Sequence, residues 1–287
     1  MTTKPKKLES PEPPEISPVV KKRIEEKQVQ ERVAIGPHVV HETIRREGEE
    51  ELKRSSSALA WSGLAAGLSM GFSLVAEGLL AAYLPQSQWA PLVTKLGYSV
   101  GFLIVVLGRQ QLYTETTVTV ILPLLSRRNV ATALSVLRLW IIVLLANLAG
   151  TYLFALCVGR ISIFTPHVQQ MLLDVSQGSM QGGFGVIFMR AVFAGWLIAL
   201  MVWLLPGAES ARVSIIIIIT YLIGLGGFNH VIAGSTKVMF LVVSGAATWS
   251  SYAFRFFLPT LLGNIVGGVS LVAFLGHAQV VAGKDLD

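Results

Sequence analysis

The chain has 287 residues, is 53% hydrophobic, and carries only 14% charged residues at a mean hydropathy of +0.62. A soluble domain carries roughly 25% charge, so this composition excludes an ordinary cytosolic enzyme or binding module and points to lipid. The formal charge of +6 divides into +1 over residues 1–54 (12 Lys/Arg, 11 Asp/Glu) and +5 over the remainder (11 and 6); basic residues beside apolar runs suit a membrane surface better than nucleic acid.

In chain order, residues 1–38 read as a charged, proline-rich tail without a core, with a polar helix at 21–34. The first 30 residues have no apolar h-region, so no cleavable signal is expected. Residues 39–55 form an amphipathic helix whose thin stripe is Val40, Ile44 and Leu52. That stripe fits either a solvated helix or one lying along the membrane face or a neighbouring subunit. Residues 56–277 form the membrane domain, and 278–287 a short tail.

A helix needs about 20 apolar residues to cross a bilayer. Six runs qualify: 57–84, 96–125, 133–158, 184–205, 213–244 and 254–274. The loop joining runs 2–3 carries "SRRN", with Arg138 shortly after, and the loop joining runs 4–5 has Arg212, whereas the 1–2 loop has no charge before Lys95 and the 5–6 loop none before Arg255; the number of runs is even. Both termini are therefore expected in the cytoplasm of a multi-pass bacterial inner-membrane protein. Cys157 sits in an apolar run and is expected to be an inert, packed thiol.

The second and fifth runs are too long and are polar in the middle, at "GRQQLYTETT" (108–117) and "GLGGFNHVIAGSTK" (224–237). Interrupted spans in matching places of two three-span halves point to a site at the membrane midplane. Non-helical backbone survives there only when buried in protein or lining a wet cavity. Each break also creates a half-helix N-terminus, with free N–H donors and partial positive charge, which favours an anion.

Four segments resemble the formate/nitrite transporter family. "GFNHVIAG" (227–234) is similar to its Gly-Phe-Glu-His-x-Ile-Ala-Asn signature. "FMRAVFAGWLIALMVWL" (188–204) resembles the family's fourth span, "FLPTLLGNIVGG" (257–268) its sixth, and "LYT" (112–114) stands where the family has Leu-Phe-Thr. The resemblance runs over about residues 40–276 and marks a divergent branch with a long N-terminal tail. It implies an all-α, aquaporin-like membrane fold of six helices in two inverted three-helix repeats, with helices 2 and 5 broken by pore loops. It also implies a homopentamer with one pore per subunit. By that resemblance His230 is the central pore histidine and Thr114 faces it. Leu112 and Tyr113 would form the cytoplasmic constriction, Tyr98 and Ile223 the periplasmic one, and Asn264 matches the sixth-span asparagine. The sequence departs from the family at Gln111 and Asn229, where glutamates are usual, at Gly195 and Gly234, and by adding Arg109 and Lys237.

An ionisable group inside a bilayer is costly and is read first as functional, which favours a pore role for His230 over a structural one. An unperturbed imidazole titrates near about 6.5. A small monovalent anion drawn in by positive potential, with a proton supplied by His230 or by water, would then pass as a neutral weak acid. The Thr114 hydroxyl pairs either with His230 or a substrate oxygen, or with its own loop. Arg190, Lys237 and Arg109 are candidate anion-attracting groups; the alternative for each is snorkelling or a partner such as Glu115 or Glu77. Asn229 and Asn264 are candidate pore residues that either satisfy broken-helix backbone, the favoured role, or touch the permeant. No cofactor or metal is called for: there is no HExxH and no second His, Asp or Cys near His230, so an enzyme is not expected. The competing functions are a non-conducting or differently selective regulatory homologue and a neutral-solute channel, although neither break carries Asn-Pro-Ala.

Overall fold

Every regular element of the described residues is helical, and the reasons lie at the helix ends. The computed structural model describes residues 35–270; the expectations for 1–34 and for 271–287 lie outside the described residues. Helix α1 is Pro37–Lys53, α2 Ser56–Tyr83, and α3 Ala90–Leu107 with one tight turn at Lys95–Gly97. Then come α4 (Tyr113–Thr119), α5 (Ile121–Arg127), α6 (Val130–Arg160), α7 (Pro166–Gln177) and α8 (Phe184–Leu204). Helices α9 (Arg212–Leu225), α10 (Val231–Val243) and α11 (Ser251–Ser270, π-wound through Phe257) complete the order. The starts are written in side chains that accept from the first free N–H groups: Ser55 from Ala58, Asn129 from Thr132, and Thr165 from Val168. Each such cap stabilises its helix by about 1 kcal/mol.

Helices α2, α3, α6, α8 and α11 are long and apolar enough to cross a membrane, whereas α9 and α10 are shorter apolar helices. Their outward faces are apolar: Leu145, Leu153, Phe193 and Ile218 are exposed. Cys157 also lies on the exposed face of α6. The expected packed thiol is thus corrected: an apolar run in lipid has an outer face as apolar as its core.

The same packing device appears twice. Gly67 of α2 lies on the Asn147 carbonyl of α6, and Gly150 of α6 lies on the Leu64 carbonyl of α2. Gly195 of α8 lies on the Asn264 carbonyl of α11, and Gly267 of α11 lies on the Val192 carbonyl of α8. None of the four sites has room for a Cβ. Without a hydrophobic drive between helices in lipid, close backbone approach of this kind holds the pairs together.

The two breaks are shorter than the polar stretches that announced them. Helix resumes at Tyr113 and at Val231, so each break spans five residues, 108–112 and 226–230. The polar residues that follow are helical, and their hydroxyls are satisfied by bonding back to the same helix: Thr116 and Thr117 to the Tyr113 carbonyl, Thr236 to that of Ile232. The left-handed residue in each break is Arg109 (φ 48°) and Gly227 (φ 62°). Gly224 and Gly234 do not turn the chain; they admit the Tyr98 and Phe256 rings.

Helix α1 is packed, not solvated. Val40 and Ile44 join Val118, Leu122, Ala199 and Val202 in one apolar cluster. Gly48 closes on the Thr119 carbonyl. Arg138 of α6 donates to the last carbonyls of the segment, Leu52 at 2.9 Å and Arg54 at 3.1 Å, and Arg127 pairs with Glu49 at 2.7 Å.

Candidate functional site

Two half-helices begin beside each other inside the apolar body, and an asparagine anchors each. Asn147 Oδ1 accepts from Tyr113 N (2.9 Å), while its Nδ2 donates to Gln111 O (2.9 Å) and Gly63 O (2.7 Å). Asn264 Oδ1 accepts from Val231 N (2.8 Å), while its Nδ2 donates to Asn229 O (2.9 Å) and Ala191 O (2.8 Å). Both asparagines are buried. Each one answers a donor and an acceptor that the broken helix leaves open, groups that cost free energy when buried without partners. Asn264 therefore holds backbone. Asn147 does the same work and was not among the predicted residues. Its signal was present as "NLAG" (147–150) in the third run, the counterpart of "NIVG" (264–267) in the sixth.

His230 stands at the N-cap of α10 and is 1% exposed. Its Nδ1 accepts from the Ala233 amide at 3.2 Å, and its Nε2 lies 2.7 Å from Thr114 Oγ1 at the start of α4. An amide N–H only donates, so Nδ1 is the unprotonated nitrogen and the ring proton sits on Nε2. Thr114 then accepts from Nε2–H, and its own hydroxyl hydrogen has no acceptor among the described residues. The pair thus offers one spare O–H donor at the point where both half-helix N-termini converge. The Phe102 ring and the imidazole pack in a T-shape with 5.0 Å between centroids.

Two cavities flank this pair. One, of about 700 Å³, opens on the α1 side and is lined by Val106 and Gln111 among others; the other, of about 230 Å³, is lined by Tyr98, Ile223, Asn229 and His230. Phe102, Leu112 and Thr114 line neither cavity and are at most 4% exposed. Tyr98, Phe102 and Val106 are one helical turn apart on α3, so one face of α3 runs from cavity to cavity. Phe102 was missed because it sits in an unbroken apolar run; the i, i+4 spacing from Tyr98 carried the signal. Tyr113 is buried but turns from the cavities toward Trp140 of α6 (6.3 Å between rings). Asn229 Nδ2 donates to the Ser179 carbonyl at 2.8 Å.

The cavities differ in charge. The one on the α1 side is lined by Arg46, Arg54, Arg109 and Arg212 and by Glu47, Glu50, Glu51 and Glu115, so its formal charges balance. Gln111 Nε2 lies 3.5 Å from Glu51, which also accepts from Thr119 at 2.6 Å. Burial pushes the Glu51 carboxyl up, against the hydrogen bonds from Thr119 and Gln111. The opposite cavity is lined by Lys95, Arg190 and Lys237. Arg190 donates to the Gln181 carbonyl at 2.9 Å. Lys237 pairs with Glu77 at 2.6 Å, the partner named among the alternatives for it. The structure thus brings His230, Thr114, Tyr98, Ile223, Asn229, Arg190 and Lys237 together, places Arg109 and Gln111 at the other cavity, and leaves Tyr113 lining neither.

The family model described as formate/nitrite transporter matches residues 38–278. The chain belongs to the formate/nitrite transporter family. It is therefore a transporter of that class, for small monovalent anions or their weak acids. A protein of Escherichia coli (strain K12), "Inner membrane protein YfdC", is 41% identical over 241 residues, 84% of this chain and 78% of that one. The "Formate channel BtFdhC" of Bacillus thuringiensis is 27% identical over 246 residues, 83% and 93% of the two chains. Among solved structures, a "Pentameric formate channel with formate bound" superposes with a TM-score of 0.66 at 20% identity, over 83% of this chain and 99% of that one. At that identity the likeness speaks for the fold.

Proposed function

We propose that this protein is a bacterial inner-membrane channel carrying a formate-like or nitrite-like anion as its weak acid, with the proton passing at the His230–Thr114 pair. The observation that carries the reading is that pair, 2.7 Å apart at the junction of two half-helices and between two cavities. The half-helix N-termini supply positive potential without a mobile charge. The Thr114 hydroxyl donates to the permeant oxygen, backed by Nε2–H of His230. The proton comes from the bulk as hydronium drawn in with the anion; the hydroxyl and the imidazole orient the accepting oxygen and end as they began, and the neutral acid crosses the apolar stretch formed by Phe102 and Leu112, where an anion would be costly.

The finer architecture belongs to the same proposal. The break-joined pair α3–α4 and the pair α9–α10 act as the second and fifth of six spans, in two inverted repeats. The repeated glycine contacts and the two asparagine anchors support this. The assembly is a homopentamer in lipid with one pore per subunit, as the solved pentameric relative suggests. The terminal tails and α1 face the cytoplasm, which the cluster of Arg127, Arg128, Arg138 and Arg212 near α1 favours. Uptake of labelled formate, nitrite, chloride and glycerol into proteoliposomes tests the substrate class. Saturable anion uptake that rises at acid pH is expected. Glycerol flux without anion flux would overturn the reading.

A further inference from the structure

We infer that the cavity beside Tyr98 is a holding site for a small carboxylate or oxyanion, built on Lys237 and kept charged by Glu77 behind it. The inference rests on the transport reading above for its ligand class. Lys237 of α10 is 4% exposed and Glu77 of α2 is fully buried. Glu77 binds Lys237 at 2.6 Å through one oxygen and faces Lys95 at 3.5 Å through the other. The two lysines and Arg190 line the cavity, and Glu77 does not. The ammonium side of the cluster therefore faces the space, and the carboxylate backs it.

An ammonium carries three donors. Glu77 takes one of those on Lys237, and no acceptor among the described residues takes the other two. The Tyr98 ring lies 5.0 Å from Nζ, which places the charge beside the expected constriction. Counting formal charges, three cations against one carboxylate leave this cavity net positive, whereas the cavity on the α1 side is balanced. An anion entering from this side meets a positive, donor-bearing wall before it reaches His230, which lines the same cavity.

A purely structural lysine explains less. Lys237 lies seven residues after the N-cap of α10, and Thr119 lies seven residues after Leu112, the N-cap of α4. Thr119 also holds a carboxylate, Glu51, at 2.6 Å. A neutral hydroxyl suffices for that task in one half of the molecule. The lysine in the other half adds a charge and two open donors that holding Glu77 does not require.

The test is equilibrium binding of ¹³C-formate to the full-length protein in nanodiscs, followed by NMR line broadening, with flux measured in parallel. The decisive variant is Glu77→Gln/Lys237→Met, which removes the buried pair together, leaves the net charge unchanged and leaves no unpaired buried carboxylate. Formate binding at least tenfold weaker in this variant, with a folded protein by size-exclusion and thermal melt, is the expected result. Unchanged binding would overturn the proposal, since the net field alone would then hold the anion. If the double variant fails to fold, Glu77→Gln decides: it removes the counter-charge that keeps Lys237 an ammonium, so formate binding at neutral pH weakens at least tenfold and recovers toward pH 5 if Lys237 holds the anion; unchanged or tighter binding overturns the proposal, because the field of Lys95 and Arg190 then holds the anion. Wild-type protein that conducts formate but shows no binding would overturn the holding site and leave the transport reading intact. Protein that neither binds nor conducts formate would count against both.

Discussion

Replacing Asn264 by alanine removes the side chain that completes the second break. Three hydrogen bonds disappear, to Val231 N, Asn229 O and Ala191 O. The Ala191 carbonyl lies within α8 and keeps a helical partner, so two backbone groups are orphaned. Hydrogen bonds between membrane helices average only about 0.6 kcal/mol, because the unfolded chain in lipid finds other partners. That average does not fit here, since the orphaned groups belong to non-helical backbone that is folded into place. Each buried group left unsatisfied costs about 1–3 kcal/mol, so the substitution costs about 2–6 kcal/mol in all. Asn147→Ala orphans the equivalent Tyr113 N and Gln111 O and carries the same expectation. The assay is thermal or SDS unfolding of the purified variants in mild detergent, read against wild type. Either variant melting like wild type, with unchanged anion flux, would refute the anchoring role.

Other outcomes follow from single contacts. Gly195→Val and Gly67→Val place a side chain on a carbonyl of the facing helix, so folded protein is expected to be lost from membranes, as read by size-exclusion of solubilised material. Phe102→Ala removes the ring between the two cavities; it should cost about 3–5 kcal/mol of stability and raise anion leak at neutral pH in liposomes. Glu51, outside the spans, gives a pH signature. Its carboxyl is raised by burial, so the folded state favours the protonated form, and that stability is full below the ordinary value of about 4.3 and is lost as pH rises. The melting temperature of Glu51→Gln relative to wild type should therefore increase from pH 5 to pH 8; a decrease would show that the hydrogen bonds, not burial, govern this carboxyl.

Much of the fold was legible in the sequence because lipid imposes a simple requirement. Apolar runs of sufficient length marked the helices, and polar interruptions marked both breaks. The extent of the breaks was not legible. Thr116, Thr117 and Thr236 look like loop residues by composition, yet their hydroxyls bond within the half-helices, which only the backbone path reveals. The pairing of Lys237 with Glu77 links residues 160 apart in sequence, and nothing local in either run selects it over other carboxylates. Tyr113 followed the family motif in sequence but turned toward Trp140, because the direction of a side chain at a helix start depends on the cap that precedes it. Asn147 was readable in principle, by setting the third run against the sixth.

The central claim is that anion flux passes the His230–Thr114 pair. His230→Asn is the direct test, because asparagine is itself a good N-cap and can accept from the Ala233 amide while losing the donor to Thr114. Formate uptake into proteoliposomes is measured from pH 5 to 8 for wild type and this variant, both shown to be folded. The account predicts that wild-type uptake rises as pH falls and that the variant loses that dependence. Identical pH profiles and rates for the two proteins would contradict it.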